Sequence, residues 1–412
     1  MSITIQRGRG GLAAATVLAM AGLAFSAPAA HADPVDPDTE TYTLNRALNG
    51  TGSDTTQDLN NGLAAVVRDV SGQLILGSWD ATVPATQGDF IVTHTDGTSI
   101  PRPNGSGQGL AALKAAVGGT TLTNARGTSS GPLDSTDLQF ARSSSGVAPS
   151  TTGAYSYVPL AVDAVTYALA GANTTLPRNL TVAQLTAIYS ANNGDMITVG
   201  GTTYVIGDEG YADATLHPFL PQTGSGTRSF FLAQLGLSEG SIGSAVKWVY
   251  GAQEAMVQEH DGSVLAAVPN SIVPFSIAQY IAQSNADKLS AAYNVPVTDR
   301  RHSAALGQVN GVSPVVGGVL NTAFPVKRAV FTVVEYAAIA GNANLAYAFV
   351  DDPLTPGVIE GAAYSAESPN GESFVIEDFG FGSLIDRDTE VNGVVIDGNT
   401  YKAGDAASYR TD

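Results

Sequence analysis

The chain has 412 residues, 37 acidic against 19 basic side chains, a formal charge of −18 and no cysteine. That acidity argues against nucleic acid or anionic lipid as a partner, while leaving room for a small anion held by a few local donors in a buried site. Lack of cysteine excludes disulfides, a lipid-anchored lipoprotein, a thiolate metal site and a cysteine nucleophile, so stability must come from apolar burial in a large core.

In chain order, residues 1–32 read as an export signal. Arg7 and Arg9 form the positive region, Leu12 to Phe25 the apolar region, and Ala30-His31-Ala32 an A-x-A cleavage site. This predicts a mature protein starting near Asp33, secreted to the extracellular or cell-envelope space without a lipid anchor. No later stretch approaches 18 uninterrupted apolar residues, so direct membrane insertion is not expected. Residues 33–42 are rich in Asp and Pro and are expected to form a disordered leader.

From there to about Gly171, apolar runs alternate with helical periodicity, as in βα units. Helical faces fall at Leu59, Leu63, Val66 and Val67, and again at Leu110, Leu113 and Val117. Tyr155 to Leu169 reads as a buried strand. Leu180 to Tyr189 reads as a helix with Thr181 as N-cap, and Thr223 to Thr227 opens another that Gly236 is placed to end. Apolar runs at Ser263–Ala267, Ser271–Ala282 and Arg328–Ile339 continue the alternation, and the Gly- and Asp-rich region after Asp352 reads as strands and turns.

Four junctions share one design: Gly52-Ser53-Asp54-Thr55-Thr56, Asn104-Gly105-Ser106-Gly107, Arg142-Ser143-Ser144-Ser145 and Gly224-Ser225-Gly226-Thr227-Arg228. Backbone N–H groups at a helix start, hydroxyl donors and the positive end of the helix dipole together make an anion site. Glycine allows the backbone to approach a ligand closely. The same Ser, Thr and Asp residues also serve simply as helix caps, so each segment alone has two readings.

Taken in order, GSDTT, NGSGQG, LQFARSSS, YVPLAVDAVTYA, LTVAQLTAIYS and GSGTRSFF resemble the phosphate-binding proteins of bacterial ABC uptake systems, in particular their actinobacterial-type relatives. The match covers roughly residues 45 to 285. The resemblance implies an α/β type II periplasmic-binding-protein fold, with mixed sheets in two lobes and a hinge between them. It also implies a ligand held by hydroxyl and backbone donors, one arginine and one aspartate that accepts the ligand's proton. Carried over by motif, Ser53, Thr55, Ser106, Ser143, Ser225, Gly226 and Thr227 are the neutral donors, and Gly107 and Ser144 complete the candidate ligand-binding set.

Two charged positions depart from the family pattern. The family arginine shortly before G-S-G-T is Pro221 or Gln222 here, and the aspartate after the matched strand end is Ser144. Arg142 or Arg228 is then the candidate for the positive charge, with Arg142 preferred, and Asp54 is the candidate acceptor unless it only caps its helix. A carboxylate beside an anion is repulsive unless the ligand has a proton to donate, so this acceptor favours hydrogen phosphate over sulfate.

Other signals are discounted. Leu220 to Gly224 matches a wall-sorting pattern but lies mid-chain. Gly127-Thr128-Ser129-Ser130-Gly131 matches G-x-S-x-G without the apolar strand a nucleophile elbow needs. The histidines lack metal-binding spacing, Glu259-His260-Asp261-Gly262 reads as a polar turn, and Arg300-Arg301-His302 as a solvated one. The expectation is therefore a non-enzymatic solute-binding protein without metal or cofactor. Lobe one would comprise residues 43–156, lobe two 157–274, and 275–412 would return to lobe one and extend beyond it. The ligand would be inorganic phosphate or a related tetrahedral oxyanion, and the implied partner an ABC permease. The alternative is a secreted scavenger, adhesin or surface protein that keeps the fold without transport.

Overall fold

The computed structural model describes residues 33–36, 41–42, 44–81, 89–124, 127–171, 175–350 and 361–412. The export signal expected at residues 1–32 lies outside them. A nine-stranded sheet organises both lobes. Its strands are β1 (Leu48–Gly52), β2 (Leu76–Ser78), β3 (Phe140–Ser143), β4 (Tyr155–Ala170), β5 (His217–Pro218), β6 (Ser271–Ser276), β7 (Ala304–Leu306), β8 (Lys327–Glu335) and β9 (Arg410–Thr411). The spatial order is β5-β6-β4-β8-β3-β1-β2, with β7 and β9 also paired to β4. The sheet is mixed: β1 runs parallel to β2 and β3, and β5 to β6, whereas β4 is antiparallel to all its partners.

The sixteen-residue β4 is the element that makes two lobes from one sheet. Its run of β-branched, aromatic and small residues suits a strand buried on both faces. Tyr157, Val158, Leu160 and Val162 pack in one core with β1, β3 and β8, and Ala164, Val165, Tyr167 and Leu169 in a second core. The register against β8 shifts between Pro159 and Ala161, where proline has no N–H to give the ladder. The crossing between the cores falls at Asp163, inside β4.

The helices that matter for the site are α1 (Gln57–Val66), α2 (Ser106–Gly118), α3 (Val182–Tyr189), α4 (Gly226–Gln234), α5 (Ser263–Ala267) and α6 (Ile277–Ser284). Thr181 caps α3 in a reciprocal box with Gln184. Gly236, just past α4, takes a φ of +67°, the left-handed conformation that closes a helix. The face of α6 is shared: Ile277 and Ile281 enter the lobe-two core, Ala278 and Ala282 the lobe-one core.

The chain is more interleaved than a division at residues 157 and 275 suggests. Leu320, Phe324 and Val326 pack in lobe two before β8 returns the chain to lobe one. The region after Asp352 contains short helices at Ala362–Ser365 and Val375–Asp378 as well as strands and turns. Val375, Ile376, Phe379 and Leu384 fill the lobe-one core, so this segment is part of the fold. The expectation of a disordered leader fails at Asp33, which is buried and forms a two-point ion pair with Arg102 at 2.7 Å. A carboxylate with a matched guanidinium fork can be held inside, which composition alone does not reveal. Among the described residues, no helix is long and apolar enough to cross a membrane.

Candidate functional site: a hydroxyl-lined junction between the lobes

Three helix starts meet where the lobes touch. The segment entering α1 brings Asp54 and Thr55, that entering α2 brings Gly105 and Ser106, and that entering α4 brings Ser225, Gly226 and Thr227. The first turn of each helix has N–H groups without intrahelical partners. Ser225 takes one of them, from Arg228, as N-cap of α4, whereas α2 starts with no side-chain cap.

The approach is close. Ser106 Oγ lies 3.3 Å from Ser144 Oγ and accepts the Ser144 N–H at 3.0 Å. A Cβ added to Gly226 would fall 2.4 Å from Ser144 Oγ and 2.6 Å from Ser106 Oγ, so only glycine permits this contact between lobes. Gly107 has more room, since a Cβ there would lie 3.9 Å from the Gly224 carbonyl.

The charged groups were harder to anticipate. Arg328, at the start of β8, sits opposite Asp163 on β4. Its Nε and Nη2 donate to Asp163 Oδ2 at 3.1 and 2.7 Å, its Nη1 to the Ser144 carbonyl at 2.9 Å, and its Nη2 also to Thr227 Oγ1 at 2.7 Å. Asp163 further accepts from Ser276 Oγ and the Ala278 N–H. One buried guanidinium thus touches the crossing strand and both lobes.

A directional chain starts from it. Thr227 Oγ1 accepts from Arg328, leaving its own proton for Thr55 Oγ1 at 3.1 Å, which donates in turn to Glu259 Oε1 at 3.1 Å. Ser225 Oγ donates to both Glu259 oxygens, at 3.1 and 3.2 Å. Hydroxyls from opposite lobes therefore converge on a carboxylate. Glu259 and His260 do lie in a turn, as the polar run suggested, but that turn is buried: they are 0% and 1% exposed. Hydrophilic residues close together in sequence suggest a turn, but partners far along the chain decide their burial.

Asp54 lies beside Glu259. Its Oδ1 accepts the Thr55 N–H at 3.0 Å, while its Oδ2 has no hydrogen-bond partner and lies 3.5 Å from His260 Nδ1. Burial first, then the neighbouring Glu259 carboxylate, hold the Asp54 carboxyl well above the usual range. Burial and then the Arg300 guanidinium hold the His260 imidazole well below its usual range, so it is neutral at physiological pH.

The remaining sequence candidates occupy the surroundings. Arg142 is fully buried in lobe one, where its Nε donates to the Ser53 carbonyl and its Nη1 to Ser78 Oγ. Burial lowers it to about 10, against the opposing pull of Asp80, Asp54, Asp33 and Asp58. Ser53 Oγ is buried without a hydrogen-bond partner, and Ser143 Oγ donates to the Ser145 carbonyl within its own turn. Arg228 turns its guanidinium to Glu239 and the Pro221 carbonyl and lies over the Trp248 ring. Ser129 is on an exposed hairpin, bonded to Thr123 Oγ1 at 2.8 Å. An apolar hollow in lobe two, walled by Leu169, Leu176, Tyr204 and Ile272, offers no group to an anion.

Arg328, Asp163 and Glu259 are absent from the sequence-based set. The available signal was a charge inside an apolar strand: Asp163 interrupts a run that is otherwise buried, and Arg328 opens another.

No protein-family model and no curated protein matches the chain. Among solved structures, many neighbours are phosphate-binding ABC substrate-binding proteins. A phosphate-binding protein from Stenotrophomonas maltophilia is 16% identical, with 82% of this chain and 90% of that one covered, at a TM-score of 0.39. An ABC-type phosphate transport receptor from Vibrio cholerae is 15% identical over 57% of this chain and 74% of its own, at 0.31. A candidate phosphate ABC transporter substrate-binding protein from Clostridium perfringens, solved with bound phosphate, is 20% identical over 44% of this chain at 0.29. The chain spans 58% of that last protein's length.

Proposed function

We propose that this protein is a secreted, non-enzymatic solute-binding protein that closes its two lobes around a small tetrahedral oxyanion, with hydrogen phosphate as the preferred ligand. The observation that supports this best is Glu259. Its carboxylate is an oxyanion held by hydroxyls of both lobes, Thr55 from one and Ser225 from the other. Donors that hold one oxyanion in this geometry suit another, and the uncapped first turn of α2, with the α4 N–H groups that Ser225 does not take, adds backbone donors and the positive end of each dipole.

Binding then proceeds by opening and reclosure. The ligand takes Thr55, Ser106, Ser225 and Thr227 from their present partners, and Arg328 supplies positive charge through Thr227. Glu259 remains beside the ligand, with Asp54 next to it held towards its neutral form, and the Glu259 carboxylate repels any anion that has no proton to share. Hydrogen phosphate can donate to that carboxylate and sulfate cannot. An ABC permease that recognises the closed form is the proposed physiological partner.

Glu259 also favours a second reading, in which its carboxylate is a permanent internal occupant and the fold serves a role outside transport. Calorimetric titration of the mature protein with phosphate and with sulfate separates the two. The transport reading predicts heat with phosphate alone and a dissociation constant near or below about 1 μM, roughly −8 kcal/mol. Glu259→Gln should then admit sulfate as well. No heat from either anion with folded, ligand-free wild type, together with phosphate binding by Glu259→Gln, supports the internal-occupant reading.

A further inference from the structure

We infer that Asp54, Glu259 and His260 form a binding site for a divalent transition-metal ion, zinc being the probe of choice, where the two lobes meet. Their ligand atoms lie within 4.8 Å of one another, and all three side chains are buried. The inference stands whether or not the junction also takes an oxyanion.

Two adjacent buried carboxylates are an unfavourable arrangement by themselves, because each disfavours the charge of the other. Without an ion, the pair is kept by a proton on Asp54 shared with Glu259; a divalent ion would replace that proton with a compensating charge. Arg328 does not supply it directly, because it is committed to Asp163 and reaches Glu259 only through two hydroxyls.

His260 is the independent observation. Both ring nitrogens are buried and neither has a hydrogen-bond partner, although a buried polar atom is normally satisfied. Asp54 Oδ2 beside it is equally without one. Their separation, 3.5 Å, is long for a hydrogen bond. It is close to the roughly 3.3 Å edge of a tetrahedron whose corners lie 2.0–2.1 Å from a central zinc ion. One imidazole nitrogen and two carboxylate oxygens are three donors of the kinds zinc accepts, with one carboxylate more and one imidazole fewer than the two-histidine, one-glutamate set, and they leave a fourth position for water or an exogenous oxygen. The mixed nitrogen and oxygen donors disfavour calcium and magnesium, which take oxygen throughout.

A second His/Asp group, at His94, Asp134 and Asp137, lacks this signature. It is partly exposed, and Thr136 and backbone N–H groups already occupy its donors and acceptors.

The test is to strip the mature protein with a chelator and titrate it with zinc in phosphate-free buffer. Wild type is compared with His260→Gln and Asp54→Asn, each first shown to melt cooperatively. The expected result is one zinc per chain, at least tenfold weaker in each variant, and a visible absorption band from a low-coordinate cobalt(II) adduct that both variants lose. If His260→Gln does not fold, the smaller Asp54→Asn change still gives the comparison. Absence of zinc binding by wild type, or equal binding by wild type and variants, overturns the inference. A separate phosphate titration of the stripped protein reports on the oxyanion reading, so failure of one leaves the other measurable.

Discussion

Two buried acid sites a few residues from the same junction have opposite designs. Asp163 is met by the Arg328 fork, a serine hydroxyl and a backbone N–H, so its charge is balanced and its oxygens are occupied. Asp54 accepts only the Thr55 N–H, while its Oδ2 faces a second carboxylate and an imidazole at 3.5 Å with no donor to fill it. The first arrangement fixes the crossing strand against β8 and belongs to architecture. The second leaves charged groups incompletely paired where the lobes meet, an arrangement more typical of ligand sites than of structural ion pairs.

The largest effect expected from this contrast is at the balanced site. Arg328→Met leaves Asp163 buried without its counter-charge, and urea unfolding should show a loss of about 3–5 kcal/mol. A change below about 1 kcal/mol would mean that the pair is not what holds the crossing strand in place. Thr227→Val removes the hydroxyl that links Arg328 to Thr55 while preserving shape. The cost should be about 1–3 kcal/mol, and phosphate binding should weaken. Unchanged binding would place the ligand away from this chain of hydroxyls.

A pH experiment sharpens the same comparison in lobe one. Asp80 is held well above the ordinary carboxylate range by burial and then by Asp33. Unfolded, it releases its proton above about pH 4, while the folded form keeps it, so stability falls as pH rises through that window at up to about 1.4 kcal/mol per unit. The melting temperature should decline as pH rises above about 4, until the folded carboxyl itself ionises, and less steeply in Asp80→Asn. Parallel curves for the two proteins would remove Asp80 as a cause. The smallest effect is expected at Ser129→Ala, within about 0.5 kcal/mol in stability and none in anion binding, because the side chain contacts only its own hairpin.

Local chemistry made much of this legible in the sequence. Thr181 with Gln184 caps α3, the hydroxyl-rich segments do start α1, α2 and α4, and the β-branched run from Tyr155 forms the long crossing strand. The charged half of the site was not legible, because its partners are joined only by folding. Arg328 meets Thr227 across 101 positions, and Thr55 meets Glu259 across 204. Arg142, inside a recognisable strand end, drew attention for its position, yet its guanidinium serves the acidic groups of lobe one. Glu259 and His260 do form a turn, but its burial was not legible, because a four-residue window contains nothing of the helix starts that enclose them.

The most direct measurement is an NMR titration of the isotope-labelled protein with phosphate, following the backbone amides of Ser106, Gly107, Gly226 and Thr227. The account predicts that these resonances, from both lobes, shift together and saturate at one equivalent, while sulfate leaves them in place. Phosphate that leaves all four unmoved, or moves only amides remote from the junction, would contradict it.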